Sequence, residues 1–399
     1  MTTTAQADLV RNGPFMGLLV ANTILSSALP MLIILGGLAG LLLAPTPALA
    51  TLPPSIQIFA GFLVTGPFSL LMGRRGRRFG FAVGGGLAMV GGVLGVLALL
   101  WSSFALLCLA HAFTGGALAC YLYFRFAAAE VVSAQWQPIA ISLMLTSGLV
   151  AAFIGPEVFI WSRDLFAPTP FAGAYAAIVL VTVIGLLPLA FVDIPRPAVA
   201  ADRPKIDRRA LAAILRRRPV MTAVLAGAVS QGIMVLLMAP TPLAMTGHGH
   251  SDVAASDVVR WHVVAMFAPS FFTGFLIKRF GTVPIVAAGL TLLIGAALVA
   301  ASGISVHHFY AALIVLGIGW NFSFIGATDM LVGAVSPEER AVVQGTNDTL
   351  IALASTVCVF ISGAIVTGFG WTQLALISLP VLALTLVWVV AMHRWSARA

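Results

Sequence analysis

Apolar runs of bilayer-spanning length recur through the whole chain and are separated by short polar turns. A helix needs about 20 apolar residues to cross the hydrocarbon core. Lipid offers no partner to a free backbone N–H or C=O, so spanning segments are helices or closed barrels. We therefore predict an all-α membrane protein with twelve transmembrane helices. The predicted spans are 14–43, 53–72, 80–100, 103–126, 138–160, 172–193, 220–245, 256–276, 282–303, 306–334, 343–368 and 370–392.

Composition supports a membrane protein and excludes a water-soluble one. Hydrophobic residues make up 60% of the chain and charged residues only 9%, whereas soluble domains carry roughly 25% charged residues. The net charge of +8 could indicate a nucleic-acid partner. The basic residues fall at the helix ends instead, so we predict a lipid bilayer as the surroundings and no nucleic acid.

The first apolar run has to be distinguished from a cleaved signal peptide, because Ala48-Leu49-Ala50 resembles a cleavage site. A signal sequence has an apolar core of roughly 7–15 residues, and the run from Pro14 to Ala44 is longer. We interpret it as a retained first helix that bends near Pro30.

The basic residues also predict the topology. If the twelve spans are taken in order, 19 of the 21 Lys and Arg residues fall on one side of the membrane, and only Arg163 and Arg260 fall on the other. Cytoplasmic loops carry the excess of positive charge. Both termini are therefore predicted to be cytoplasmic in a multi-pass protein.

One long polar segment divides the chain into halves. We predict an N-terminal six-helix half at 1–193, a cytoplasmic linker at 194–219 and a C-terminal six-helix half at 220–399. The linker carries eight basic residues, which suit contact with anionic lipid headgroups.

The two halves look like repeats of each other. Arg78-Phe79-Gly80 and Arg279-Phe280-Gly281 each follow the second span of their half, about 201 residues apart, and Glu130 corresponds to Asp329. Two related six-helix halves with a site near the midplane are typical of secondary transporters.

The loop after the second span carries a family resemblance. Its sequence GRRGRRFG, residues 73–80, resembles the loop motif of the major facilitator superfamily, without that motif's usual acidic residue. The resemblance implies the major facilitator fold and leaves the cargo open.

Two pairs of soft metal ligands lie on consecutive spans. Met234 and Met238 are four residues apart on the seventh span, and His262 and Met266 are four apart on the eighth, so each pair shares a helix face. The rise per residue places them in two layers, roughly 10 and 16 Å below the outer surface. Thioether and imidazole ligands suit Cu(I). Ordinary packing is the alternative, since Met commonly fills gaps between helices.

These two motifs resemble the MxxxM and HxxxM motifs of the CcoA-like copper importers, a branch of the major facilitator superfamily. The resemblance implies that Met234, Met238, His262 and Met266 bind copper, which is the cargo and not a resident cofactor. It also implies import across a bacterial inner membrane, with a cytoplasmic copper chaperone as a candidate partner. Related members are thought to carry riboflavin, so the family leaves the cargo undecided.

Two further sets of residues are candidates for function. Met245, His248 and His250 lie on the outer side between the two motifs, where they either capture metal or form a solvated loop. Glu157 in the fifth span and Asp348, a turn into the eleventh, are candidates for proton coupling, with structural ion pairing as the alternative.

No enzyme is predicted, because the chain has no P-loop, no HExxH and no nucleophile with a placed base. The same absence argues against an ATP-driven pump within this chain. The predicted function is secondary-active copper import by alternating access. The alternatives are a carrier of an organic cargo such as riboflavin or a drug, and a non-transporting copper-delivery scaffold.

The predicted topology can be tested with single cysteines placed at Arg75, Asp207 and His248. An impermeant thiol reagent should label the first two only from the cytoplasm and the third only from outside, because the positive-inside rule assigns the first two positions to the cytoplasmic side. Labelling of Asp207→Cys and His248→Cys from the same side would contradict the topology.

Overall fold

The computed structural model describes residues 11–133, 136–194 and 207–396, and within these ranges all regular structure is helical. The helices of the first half are α1 Gly13–Ser26, α2 Ala28–Leu43, α3 Leu52–Arg75, α4 Arg77–Leu100, α5 Phe104–Tyr121, α6 Phe124–Glu130, α7 Gln137–Ser162 and α8 Ala172–Ala190. A 3-10 turn, Pro47–Leu49, precedes α3.

The remaining helices begin with one that lies within the predicted linker. They are α9 Arg208–Leu215, α10 Arg218–Met238, α11 Thr241–Gly247, α12 Asp252–Phe267, α13 Ser270–Phe280, α14 Thr282–Ser302, α15 Val306–Gly333, α16 Pro337–Phe369 and α17 Trp371–Ser396.

The all-helical membrane architecture is confirmed. In the described part of the chain, eleven helical segments are long and apolar enough to cross a membrane, and several combine two consecutive helices, as Gly13–Leu43 does. The predicted fifth span coincides with α7, which has 26 residues and whose described apolar stretch is the shorter Thr146–Ser162. Each of the twelve predicted spans therefore contains a helix.

The break in the first span lies slightly before the predicted bend. Ser27 separates α1 from α2, and Pro30 lies in the first turn of α2, a position at which the missing proline N–H costs no helix hydrogen bond. Gly155 of α7 faces this break, because a Cβ there would lie 2.5 Å from the carbonyl oxygen of Ser27.

The chain divides into two compact units. The first comprises α1 to α8, and the second comprises α9 to α17 together with Thr46–Thr51. This short segment lies within our predicted N-terminal half of 1–193, and the predicted division into halves stays a prediction. The 3-10 turn of the segment packs against α16, and the Thr51 hydroxyl donates to the Val359 carbonyl at 3.3 Å. Hydropathy does not register such a polar contact.

The repeated turns after the second and eighth spans are real, but our predicted register was wrong. Gly76 and Gly281 have nearly identical backbone angles, φ 91° and 88° with ψ 160°, and each caps the helix that follows. Gly80, which we paired with Gly281, instead lies inside α4 against Met72. The repeated Arg-Phe-Gly letters therefore misaligned the halves by one helical turn, and the structural spacing is 205 residues rather than 201.

Both turns are held by an acid from the fourth span of the same unit. Arg77, the first residue of α4, pairs with Glu130 at 2.6 Å. The hydroxyl of Thr282, the first residue of α14, donates to Asp329 at 2.6 Å. Glu130 and Asp329 thus play corresponding parts at the two turns, Glu130 in an ion pair and Asp329 as the acceptor of a hydroxyl hydrogen bond.

The described part of the linker is docked onto the second unit. Ile214 of the amphipathic helix α9 is buried in an apolar cluster with Val220, Leu331 and Val343. Arg217 donates two hydrogen bonds of 2.9 Å to Glu339. The pKa of the Glu339 carboxyl lies below its ordinary value, mainly because of these Arg217 bonds and secondarily because the Ser336 N–H donates to it.

The conformation of Gly76 leads to a stability prediction. Its angles lie in a region that essentially only glycine adopts, and a side chain there costs about 1–3 kcal/mol. Gly76→Ala should therefore lower the melting temperature of the detergent-purified protein by roughly 3–10 °C.

Gly73→Ala is the matched control for this measurement. Gly73 is helical, and a Cβ there would meet nothing within 4 Å, so this change should leave the melting temperature unchanged or raise it. Equal melting temperatures for the two variants would contradict the strain assigned to Gly76.

Candidate functional site

Helix α15, the tenth predicted span, organises the candidate site in the second unit. Both α10, which carries Met234 and Met238, and α12, which carries His262 and Met266, pack against it. The predicted ligand pairs are therefore connected through a third helix, which the pattern of the two motifs alone did not indicate.

Hydrogen bonds to α15 define the relative depth of the two pairs. Gln231 of α10 accepts from the Trp320 indole N–H at 2.7 Å, and the His262 imidazole of α12 bonds the Leu313 carbonyl at 2.7 Å. Since α10 runs antiparallel to α15, Met238, seven residues beyond Gln231, lies level with Leu313 and hence with His262.

The inner pair is matched in the same way. Met234 lies three residues beyond Gln231 and is thus level with Gly317. A Cβ on Gly317 would lie 2.9 Å from the backbone nitrogen of Met266. The two predicted layers at equal depth therefore agree with the register that α15 imposes.

All four residues are deeply buried. Their exposed fractions are 3% for Met234, 8% for Met238 and Met266, and 0% for His262. The part of the chain that the structure describes contains no group of three or more His, Cys, Asp or Glu side chains placed to hold a metal ion. A copper site would consequently depend on the methionine sulfurs, and the four-residue metal set stays a prediction.

The hydrogen bond of His262 determines which of its nitrogens can bind a ligand. A carbonyl oxygen only accepts, so Nδ1 must carry the proton that bonds Leu313. The other nitrogen, Nε2, then presents a lone pair. It is buried and has no hydrogen-bond partner among the described residues.

The predicted outer capture residues are held by backbone contacts. Met245 is fully buried. His248 Nδ1 bonds the Ala244 carbonyl at 2.7 Å, and His250 Nε2 bonds the Ile304 carbonyl at 2.8 Å. Both imidazoles lie beside Phe309. His248 is nevertheless exposed, so metal capture and a solvated loop both stay predictions.

The predicted proton-coupling acids are on other helices than the predicted metal and capture residues. Glu157 is an exposed residue of α7. Asp348 is exposed about three turns into α16, because that helix begins earlier than the predicted span, at Pro337. Its carboxylate accepts from the neighbouring Asn347 amide at 3.4 Å. Their role in proton coupling stays a prediction.

An aromatic cluster on α15 is the main feature that the sequence analysis missed. The Trp320 ring stacks on Phe324 with centroids 5.0 Å apart and an interplanar angle of 17°, and Phe267 of α12 meets it edge-on at 6.4 Å. The rings of Trp320, Phe324 and Phe267 are all partly exposed. With Gln231 bonded to the indole, the cluster combines flat apolar faces with an amide at membrane depth.

A buried amide stabilises this region one residue further along α15. Asn321 is 0% exposed, and its Nδ2 donates to the Met266 carbonyl and to Ser270 Oγ, both at 2.7 Å. Its Oδ1 accepts from the Thr273 hydroxyl at 2.6 Å. The amide therefore fastens α15 to α12 and α13, where the break around Pro269 leaves backbone groups to be satisfied.

The first unit also contains a polar cluster, to which the sequence analysis assigned no role. His111 of α5 bonds Gln57 Oε1 of α3 through Nδ1 and the Tyr175 hydroxyl of α8 through Nε2, both at 2.8 Å. All three side chains are buried. Each of these residues is polar within an apolar span, as Gln231 and Asn321 are. That property of the sequence could have identified them as candidates for function.

No family model matches the chain. The riboflavin transporter RfnT of Brucella anthropi is 40% identical over 374 residues, which cover 93% of each protein. The uncharacterised MFS-type transporter YddS of Bacillus subtilis is 33% identical over 347 residues, 81% of this chain and 78% of YddS.

A solved structure shares the fold. A bacterial homologue of the human lysosomal transporter Spinster, in an inward-facing and occupied conformation, superposes with a TM-score of 0.69, at 15% identity over 95% of this chain and 96% of that one. The chain belongs to the major facilitator superfamily of membrane transporters.

The comparisons give no support to the narrower resemblance to CcoA-like copper importers. Among these relatives, the one whose name states a cargo is a riboflavin transporter. The MxxxM and HxxxM spacings are short patterns, and Met is a common packing residue in transmembrane helices. Those spacings alone therefore do not separate copper carriers from carriers of organic molecules.

The bonds of Asn321 predict a structural role for its amide. Asn321→Leu keeps similar volume but leaves the buried Met266 carbonyl without this donor, at a cost of about 1–3 kcal/mol. The variant should show a lower melting temperature than the parent protein in detergent. Ser323→Ala is the control, because that hydroxyl bonds the Gly319 carbonyl of its own helix. Equal stability of both variants would contradict this role.

Proposed function

We propose that the protein is a secondary transporter whose cargo is a flat aromatic molecule with hydrogen-bonding edges, of the class to which riboflavin belongs. The observation that carries this proposal is the 40% identity to the riboflavin transporter RfnT over 93% of both chains. Identity over this extent includes the spans that hold the candidate site.

The aromatic cluster of α15 supports such a cargo. Trp320, Phe324 and Phe267 offer ring faces and edges, on which a fused aromatic ring can stack. The Gln231 amide and the Trp320 indole lie beside these faces and can recognise polar ring edges. A cargo site of few polar groups among aromatic walls is typical of small-molecule binding.

Energy for accumulation would come from an ion gradient, since the sequence has no nucleotide-binding motif. We propose that the two six-helix halves work by alternating access, as expected for paired repeats.

Copper is the second candidate cargo, and one observation favours it. The Nδ1 proton of His262 is fixed on the Leu313 carbonyl, which is the arrangement that orients an imidazole for metal binding through its other nitrogen. Met238 lies at the same depth and could supply a sulfur ligand.

Uptake of both cargoes, measured side by side, tests the proposal. Cells unable to make or import riboflavin should take it up saturably once they express the protein, and should not gain copper. Trp320→Leu should raise the apparent KM for riboflavin about five- to tenfold, because the stacking face is lost.

The double variant Met234→Leu with Met238→Leu is the control for this experiment. Met-to-Leu exchange keeps volume and apolarity and usually costs under about 1.5 kcal/mol. Riboflavin uptake by this variant should equal that of the parent. Copper accumulation by the parent that collapses in the double variant, without riboflavin uptake, would replace our proposal with copper import.

A further inference from the structure

The two buried histidines of the transmembrane region lie at the same contact in the two repeats. A Cβ on Gly115 of α5 would overlap the carbonyl oxygen of Gln57, and a Cβ on Gly317 of α15 would lie 2.8 Å from the carbonyl oxygen of His262. Gln57 and His262 are 205 residues apart, the spacing that also relates Gly76 to Gly281. In each unit the second span thus crosses the fourth at a glycine, with an imidazole beside the crossing.

In the first unit, both nitrogens of the His111 imidazole have a hydrogen-bond partner. Because Gln57 Oε1 accepts from Nδ1, Nε2 of His111 is an acceptor and receives the Tyr175 hydroxyl proton. Every nitrogen has one partner, and the ring is 0% exposed. This is the arrangement expected of an imidazole whose role is to join helices.

In the second unit, only one nitrogen of the His262 imidazole has a hydrogen-bond partner among the described residues. His262 occupies the position of Gln57, and its Nδ1–H donates to Leu313. Its Nε2 is an equally buried acceptor that has no donor among the described residues. An unsatisfied buried polar atom destabilises the folded state, and apolar packing alone would not require an imidazole at this position. The contrast with His111 points to a donor that comes from outside the protein.

The aromatic cluster of Trp320, Phe324 and Phe267 favours a donor at the edge of an aromatic cargo. His262 bonds Leu313, and the stacking ring belongs to Trp320, seven residues further along α15. The Nε2 lone pair of His262 and the Trp320 ring are therefore about 10 Å apart in depth along the helix. A fused three-ring system has a long axis comparable to this distance. If its rings stack at Trp320, the polar end of the ring system can extend to the depth of His262.

We propose that Nε2 of His262 accepts a hydrogen bond from the ring imide N–H of a flavin-class cargo and thereby selects for it. This inference rests on the proposed function, since it specifies how that cargo is recognised. Nε2 is buried in this structure, so the proposal requires a state of the transport cycle in which the polar ring edge reaches Nε2 while the bond from Nδ1 to Leu313 is kept.

Transport kinetics of His262→Asn test this directly. The Asn amide can keep the bond to Leu313 but has no atom at the position of Nε2. The KM for riboflavin should rise about tenfold at normal abundance, as expected when a site loses the group that pairs a cargo N–H. Riboflavin methylated at the imide nitrogen should compete about tenfold more weakly than riboflavin in the parent, and about equally with it in His262→Asn.

Two variants separate recognition from folding. His262→Gln places a carbonyl oxygen near the Nε2 position and should restore part of the discrimination. His111→Asn disturbs the equivalent contact of the first unit and should keep the parental KM and discrimination, whatever its abundance.

Each remaining outcome is decisive. If His262→Asn retains the parental KM and still rejects the methylated analogue, the assignment of Nε2 is overturned while the transport function stands. If His262→Asn loses only copper uptake, the lone pair is a metal ligand and the proposal is likewise overturned. Absence of riboflavin uptake by the parent protein would remove the proposed function and this inference together.

Discussion

Lipid supplies no hydrogen-bond partners, and this constraint determines where the chain can place polar side chains. Asn321 carries three bonds among α12, α13 and α15. In the first unit, His111 joins α3 to α8. Satisfied amides and imidazoles hold the helices together, whereas Nε2 of His262 is a buried acceptor with no partner among the described residues, which makes it a candidate for binding a ligand.

The fold was largely predictable because hydropathy and charge placement are properties of the chain itself. Each predicted span contains a helix, since about 20 apolar residues leave few other solutions in a bilayer. The register of the repeat was wrong because a repeated sequence pattern does not have to adopt the same backbone conformation. Gly80 repeats the Arg-Phe-Gly pattern, yet Gly76 has the positive φ that makes the turn. A similar limit applies to Thr51, whose bond to Val359 joins residues far apart in sequence.

The candidate site was only partly predictable. Four-residue spacing placed Met234 with Met238 and His262 with Met266 on common helix faces, and the register along α15 agrees with their predicted depths. Trp320, the partner of Gln231, is 89 residues away in the sequence. A local sequence pattern does not predict how two spans are rotated about their axes, and hence which of their side chains meet. The soft ligands attracted attention because they form a motif, whereas the aromatic cluster around Trp320 forms none.

Binding of riboflavin to the purified protein tests most directly the claim that the site on α15 receives an aromatic cargo. Flavin fluorescence should be quenched saturably as the protein is added, because the rings stack on Trp320, and Trp320→Leu should weaken the quenching while Cu(I) leaves it unchanged. Fluorescence that stays constant in the presence of folded parent protein, or quenching that is identical in Trp320→Leu, would contradict the account.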